Sequence, residues 1–196
     1  IISTFVVLLF SKFLGLFLIL VTIWVYYFFR DPERFPVNDD SFLASPADGL
    51  IIDISERSGP MELQLENTSY TKISIFMNVF NCHVNRTPLT GTVEEISYKP
   101  GKFFNASLDK ASDENERNYY KIKCAKSGEE IIIVQIAGLI ARRIVCEVEQ
   151  GQSLKQGDRI GMIRFGSRVD IFFKNKNVLA KIGQNVVAGE SLIASE

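Results

Sequence analysis

The chain has 196 residues, 46% hydrophobic and 23% charged, enough for one domain with its own core plus an appendage. Its 22 basic and 23 acidic side chains nearly cancel, which gives no footing for nucleic acid. Cys82, Cys124 and Cys146 are odd in number and lack metal-ligand spacing; they read as reduced thiols, and beside a single histidine, His83, they make no metal site.

The first element is a membrane-anchoring segment over residues 1–29. It is apolar apart from Ser3, Thr4, Ser11, Lys12 and Thr22, and it ends in the interface-favouring aromatics Trp24, Tyr26 and Tyr27. Lys12 divides the run, so one span and a hairpin both stay open. No small-residue cleavage site follows, which argues against a signal peptide. Arg30 and Arg34 come next and orient the remainder toward the cytosol. The chain starts at Ile1 rather than Met, and a preceding stretch is expected. Asp31-Pro32 and Phe35-Pro36 stop any helix.

Residues 30–196 form a β-rich domain. Runs of β-branched and aromatic residues at 50–54, 72–77, 91–97, 119–124, 130–137, 143–148 and 169–173 are punctuated by Gly, Pro and Asn. Residues 105–118, rich in charge and amide, read as a loop, and 139–143 as at most a brief turn. One stretch repeats: Gly151-Gln-Ser-Leu-Lys-Gln-Gly157-Asp158 matches Gly183-Gln-Asn-Val-Val-Ala-Gly189-Glu190 at an offset of 32 residues. Paired glycine turns of this kind suit a β-sandwich built from two similar hairpins, as in biotinyl/lipoyl carrier domains.

Three places can carry chemistry. Ser45-Pro46-Ala47-Asp48-Gly49 sets Asp48 in a tight turn before an apolar strand, where a bland aspartate would bond its own backbone. Phe80-Asn81-Cys82-His83-Val84-Asn85-Arg86 puts the only imidazole at a strand end, where a structural role is the plainer reading. Phe165-Gly166-Ser167 offers a hydroxyl beside a carbonyl that glycine leaves unshielded, the arrangement in which a backbone can cut itself. Together they supply the parts of a Ser-His-Asp set, without showing that the parts meet. Arg86, Arg142 and Arg143 are candidates for a phosphate head group, although a solvated pair explains Arg142 and Arg143 as well.

These residues lie in blocks that resemble the phosphatidylserine decarboxylase family in its short bacterial and archaeal form. The blocks run in order: Phe28-Phe-Arg-Asp-Pro-Glu-Arg34, Ser45 to Gly49, His83-Val-Asn-Arg-Thr-Pro88, Pro100-Gly-Lys-Phe103, Asp109 to Ser112 with Asn115-Glu-Arg117, Gln135-Ile-Ala-Gly138 with Ala141-Arg-Arg143, and Arg164-Phe-Gly-Ser-Arg-Val-Asp170. The resemblance implies a proenzyme that cuts between Gly166 and Ser167, with its two fragments staying together. Ser167 then becomes a pyruvoyl group, the cofactor. Asp48 and His83 match residues linked to that cut. Longer members carry a second histidine where this chain has Arg86, so one imidazole has to serve maturation, turnover or both. The implied reaction is decarboxylation of phosphatidylserine to phosphatidylethanolamine through a Schiff base, with His83 protonating the product carbon. The substrate lies in the bilayer, and the expected location is the inner membrane with the catalytic domain toward the cytoplasm. A homodimer is compatible with the sequence but indicated by no pattern in it.

Two rivals explain less. A membrane-tethered carrier or adaptor module fits the glycine turns but has no suitably flanked lysine and no use for Asp48, His83 and Ser167. A membrane serine hydrolase lacks the Gly-x-Ser-x-Gly elbow.

Overall fold

The computed structural model describes residue 3 and residues 11–104, 114–139, 143–164 and 166–196. The chain divides into two compact units, Ile1–Pro32 and Glu33–Glu196.

In the first unit, α1 (Lys12–Phe28) is a 17-residue helix. Ser11 caps it, its side chain accepting from the Leu14 N–H, and Thr22 Oγ1 donates back to the Leu18 carbonyl at 2.7 Å. Most of its large apolar side chains are exposed, Phe13 and Tyr26 most of all. Among the described residues, no helix is long and apolar enough to cross a membrane.

The second unit is mainly β, as the punctuated apolar runs predict. Its strands are β1 (Phe42–Ala44), β2 (Gly49–Ser58), β3 (Ser69–Met77), β4 (Val84–Arg86), β5 (Gly91–Lys99), β6 (Arg117–Cys124), β7 (Glu130–Ala137), β8 (Ile144–Cys146), β9 (Ser153–Leu154), β10 (Arg159–Ile163), β11 (Ser167–Phe173), β12 (Asn177–Val178), β13 (Asn185–Val186) and β14 (Leu192–Ser195). Eight of them form one antiparallel sheet in the order β13-β2-β3-β11-β7-β6-β5-β9; two three-stranded sheets, β1-β14-β12 and β4-β10-β8, complete it.

The residues expected in a loop at 105–118 split. Residues 105–113 lie outside the described set, as do 140–142 of the expected turn, whereas Arg117 and Asn118 belong to β6 and pair with Ile136 and Gln135. Polar side chains are no bar there, because the ladder uses backbone groups alone.

Alternation along the central strands sorts the side chains. Val169, Ile171 and Phe173 of β11 join Ile73, Ile75 and Met77 of β3 and Ile131, Ile133 and Ala137 of β7 in the main core. Phe172, Ile132, Val134 and Ile136 point the other way, into a second cluster with Tyr70 and Tyr119. Burial on both faces is why β7 reads as an almost unbroken apolar run.

The repeated glycine turns hold equivalent places. Gly151 and Gly183 both have φ 86°, where glycine is favoured. Gly151 N–H bonds the Val93 carbonyl at 2.7 Å, and Gly183 N–H bonds that of Ile51 at 2.8 Å. Gly157 N–H bonds Thr87 at 2.9 Å, and Gly189 N–H bonds Ser45 at 2.8 Å. The likeness extends to Thr87-Pro88-Leu89-Thr90-Gly91 and Ser45-Pro46-Ala47-Asp48-Gly49. Thr87 Oγ1 donates to the Leu89 carbonyl at 2.8 Å, and Ser45 Oγ to that of Ala47 at 2.7 Å. Even the register shifts agree, falling between Ile51 and Asp53 in β2 and between Val93 and Glu95 in β5. Two copies of one hairpin system therefore meet at the β11–β7 pair in the middle of the large sheet.

Candidate active site

Ser167 is the first residue of β11, the strand paired on both sides: Ser167 faces Met77 of β3 and Ala137 of β7. Alternation turns its side chain toward the main core, and the residue is fully buried. Its Oγ has no hydrogen-bond partner among the described residues. Just before it, Gly166 has φ 51°, and a Cβ there would meet nothing within 4 Å. A buried hydroxyl left without a partner is costly, and here it stands beside a carbonyl carbon approachable from an open side.

His83 precedes β4 and is also fully buried. Its Nδ1 lies 3.0 Å from the Asn81 carbonyl oxygen. A carbonyl only accepts, so Nδ1 is the donor, which in the neutral form of the ring leaves the lone pair on Nε2. The β4–β10 ladder continues to the Ile163 N–H···O=C His83 contact at 3.4 Å. That extended run puts His83 and Asn85, two residues on, on one face. Asn85 reaches across to the large sheet, where its Nδ2 lies 3.6 Å from Met77 Sδ and its Oδ1 accepts from Gln135 Nε2 at 2.7 Å. Since Met77 and Gln135 belong to the two strands that flank β11, Asn85 faces β11 at the level of Ser167 and Val169.

Asp48 has another partner. Its Oδ1 accepts the Ala188 N–H at 2.8 Å, and Arg34 Nη2 donates to Oδ1 at 3.0 Å and to Oδ2 at 2.8 Å. Asp48 bonds neither His83 nor Ser167, so the hydrogen-bonded Ser-His-Asp chain imagined from sequence is not assembled. By register it stands near the level of Gly166, two strands away, about 10 Å by strand spacing. In the other copy, Thr90 Oγ1 accepts the Gln156 N–H at 3.2 Å. The turn bond is thus common to both halves, and the charge belongs to one.

Of the arginines read from sequence, Arg86 is buried with Nη1 on the Gly157 carbonyl at 2.9 Å, bracing a glycine turn. Arg143 is exposed, its carbonyl accepting from Arg164 N–H. Arg142 lies outside the described residues. A cavity of about 580 Å³ is floored by Arg168, Asp170 and Phe172, which alternate with Ser167 and open on the opposite face of the sheet. It is not where Ser167 points.

The comparisons agree with the ordered blocks. The profile of the phosphatidylserine decarboxylase family matches residues 21–194. The chain belongs to the phosphatidylserine decarboxylase family. It is similar to the phosphatidylserine decarboxylase proenzyme of Pelagibacter ubique, 64% identical over 186 residues, which is 95% of this chain and 86% of that one. The proenzymes of Ruegeria pomeroyi and Rickettsia akari are each 50% identical, over 89% and 94% of this chain and 80% of their own. Membership of an enzyme family leaves the non-catalytic carrier reading without support.

Sequence reading missed two contributors to this family member's site. Arg34 was visible as part of a block and as a flanking cation, but its bond to Asp48 joins positions too distant for local pattern to connect. Asn85 stood in the block His83–Pro88 but drew no role of its own, because a polar residue in a short strand reads as surface. Replacing Arg34 by Leu strands the Asp48 carboxylate, whose side chain is only 13% exposed. We expect a loss of about 2 kcal/mol, the scale of a charged hydrogen bond, read as a lower urea midpoint. Combined with Asp48→Asn, the loss should be smaller than the sum of the two.

Proposed function

We propose that the chain is a self-cleaving phosphatidylserine decarboxylase whose pyruvoyl cofactor arises from Ser167. The observation that carries this is the Ser167 hydroxyl, buried, without a partner among the described residues and next to an unshielded glycine in a left-handed backbone. Such a site fits the group: a ketone at position 167 needs no donor that the serine lacked, and it would stand at the first rung of the β11 ladder rather than in its interior.

The chain's own residues do the following. His83 takes the Ser167 hydroxyl proton as Oγ bonds to the Gly166 carbonyl carbon; the C–N bond then breaks, its nitrogen is protonated, and an ester joins the two pieces. Loss of the Ser167 α-proton expels the Gly166 carboxylate. Hydrolysis of the remaining enamine releases ammonia and leaves the ketone. When present, that ketone supplies an electron-accepting carbonyl for loss of carbon dioxide from the substrate amino acid. On this reading His83 also returns a proton to the substrate carbon. Arg34 and the Ala188 N–H hold the Asp48 turn at the sheet end where this occurs.

The two fragments would remain together, because the shorter one begins with β11 and stays laddered to β3 and β7 through the centre of the sheet. We further read the interlocked turns as a biotinyl/lipoyl-like sandwich put to catalytic use. The exposed apolar surface of α1 suits a bilayer, keeping acyl chains in lipid at a saving of roughly 0.8 kcal/mol per methylene. On this reading the enzyme works at the cytoplasmic face of the inner membrane.

The test is incubation with serine phospholipid labelled at the carboxyl carbon. Labelled carbon dioxide should be released, and borohydride added with substrate should stop it. Release that borohydride leaves untouched would refute the carbonyl cofactor.

A further inference from the structure

A chain of buried polar side chains runs through the core from Tyr120 through Gln135 and Asn85 to Met77, the register neighbour of Ser167. Asn85 and Gln135 are fully buried, as is Tyr120, and all three lie on the core face between β4 and the large sheet. The Tyr120 hydroxyl is 2.7 Å from Gln135 Oε1 and 3.2 Å from the Ile160 carbonyl oxygen. Its single proton goes to the nearer acceptor. Burial pushes the Tyr120 pKa far up, so that proton stays. With Oε1 accepting, Gln135 turns Nε2 toward Asn85 Oδ1 at 2.7 Å. Asn85 is thereby locked with Nδ2 pointing away from Gln135, toward β3.

What Nδ2 meets there is a poor match. Among the described residues its only partner is Met77 Sδ at 3.6 Å, and a thioether is a weak acceptor for a two-proton donor. Met77 is the register neighbour of Ser167, and Gln135 that of Val169, on opposite sides of β11. The carboxamide therefore lies between side chains from the two strands that flank β11, at the level of Ser167 and Val169. A dry, oriented and underused donor beside a bond that must develop negative oxygen is what stabilises an oxyanion.

We propose that Asn85 is the oxyanion donor of the self-cleavage step, oriented by Gln135 and Tyr120. As Ser167 Oγ bonds to the Gly166 carbonyl carbon and its proton passes to His83, the C=O electron pair moves onto the Gly166 oxygen. The Asn85 amide donates to that oxygen until the C–N bond breaks and the pair returns. This rests on the proposed function, which assigns the cut to that bond.

The experiment follows cutting of freshly synthesised chains on denaturing gels across pH. Asn85→Leu should cut on the order of 100-fold more slowly than the parent. Asn85→Asp keeps the shape but donates only when protonated, a form that burial favours. Its rate relative to the parent should climb as pH falls from mildly alkaline to mildly acidic, a signature that a packing defect does not give. Tyr120→Phe should slow cutting by a smaller factor. Thermal midpoints of the same changes in a Ser167→Ala chain report folding, and if Asn85→Leu does not fold, the Asn85→Asp ratio still decides. A flat ratio, or Asn85→Leu cutting at the parent's rate, overturns the assignment. A parent chain that never cuts is a different failure and would remove the proposed function with it.

Discussion

Ser167→Ala is expected to leave one uncut polypeptide that releases no carbon dioxide from serine phospholipid. The loss should be complete, because the change removes both the attacking atom and the only source of the ketone. It should not cost stability. The hydroxyl is buried without a partner among the described residues, and deleting an unsatisfied polar atom is neutral or favourable by about 1 kcal/mol. The methyl group fits the space already held by Cβ, and the β11 ladder to Met77 and Ala137 uses backbone groups alone. Intact mass and a denaturing gel check the cut; the urea midpoint checks the fold. An inactive and unfolded variant would make Ser167 a packing residue. A variant that still decarboxylates at the parent's rate would dispose of the pyruvoyl cofactor.

Much of the fold was legible because the central strands are buried on both faces. Long apolar runs such as Glu130–Ala137 and Ser69–Met77 leave little alternative to a strand once Gly and Asn bracket them. The two-residue strands β9, β12 and β13 were not legible. Ser153–Leu154 has no periodicity of its own, and it is a strand only because Gly91 and Thr92 of β5 are there to pair with it. The glycine echo showed that the turns repeat, yet not that Thr87–Gly91 repeats Ser45–Gly49. The shared feature is a hydrogen-bond pattern around different side chains. The Asp48 side chain likewise bonds Arg34 and the Ala188 N–H rather than its own backbone, contacts that no local pattern displays.

The site was legible residue by residue but not as an assembly. Ser167 and His83 stood out through rarity and local chemistry, and both are buried, Ser167 at the start of β11 and His83 just before β4. Asp48 drew attention as an acid to orient the histidine, whereas its carboxylate is taken up by Arg34 and Ala188. Orientation of His83 comes instead from the Asn81 carbonyl, a backbone group that no motif displays.

That carbonyl shapes the second large effect. His83→Ala is expected to slow cutting by on the order of 100- to 10,000-fold, the range of a positioned general base. His83→Gln should do no better. It restores a polar side chain of similar reach, yet its amide nitrogen cannot take a proton and its oxygen is a very weak base. With Nδ1 fixed by Asn81, only Nε2 can serve, so one ring nitrogen has to accept the serine proton during maturation and deliver one to the substrate carbon in turnover. The two duties can be separated by measurement. Material that has cut slowly over a long incubation is isolated, its ketone ends are counted with labelled borohydride, and carbon dioxide release is expressed per ketone. Turnover per ketone should also fall by orders of magnitude in His83→Ala. Normal turnover per ketone would confine His83 to maturation and pass the protonation step to another group or to water. A variant that both cuts and turns over normally would show that the single imidazole of this chain is structural.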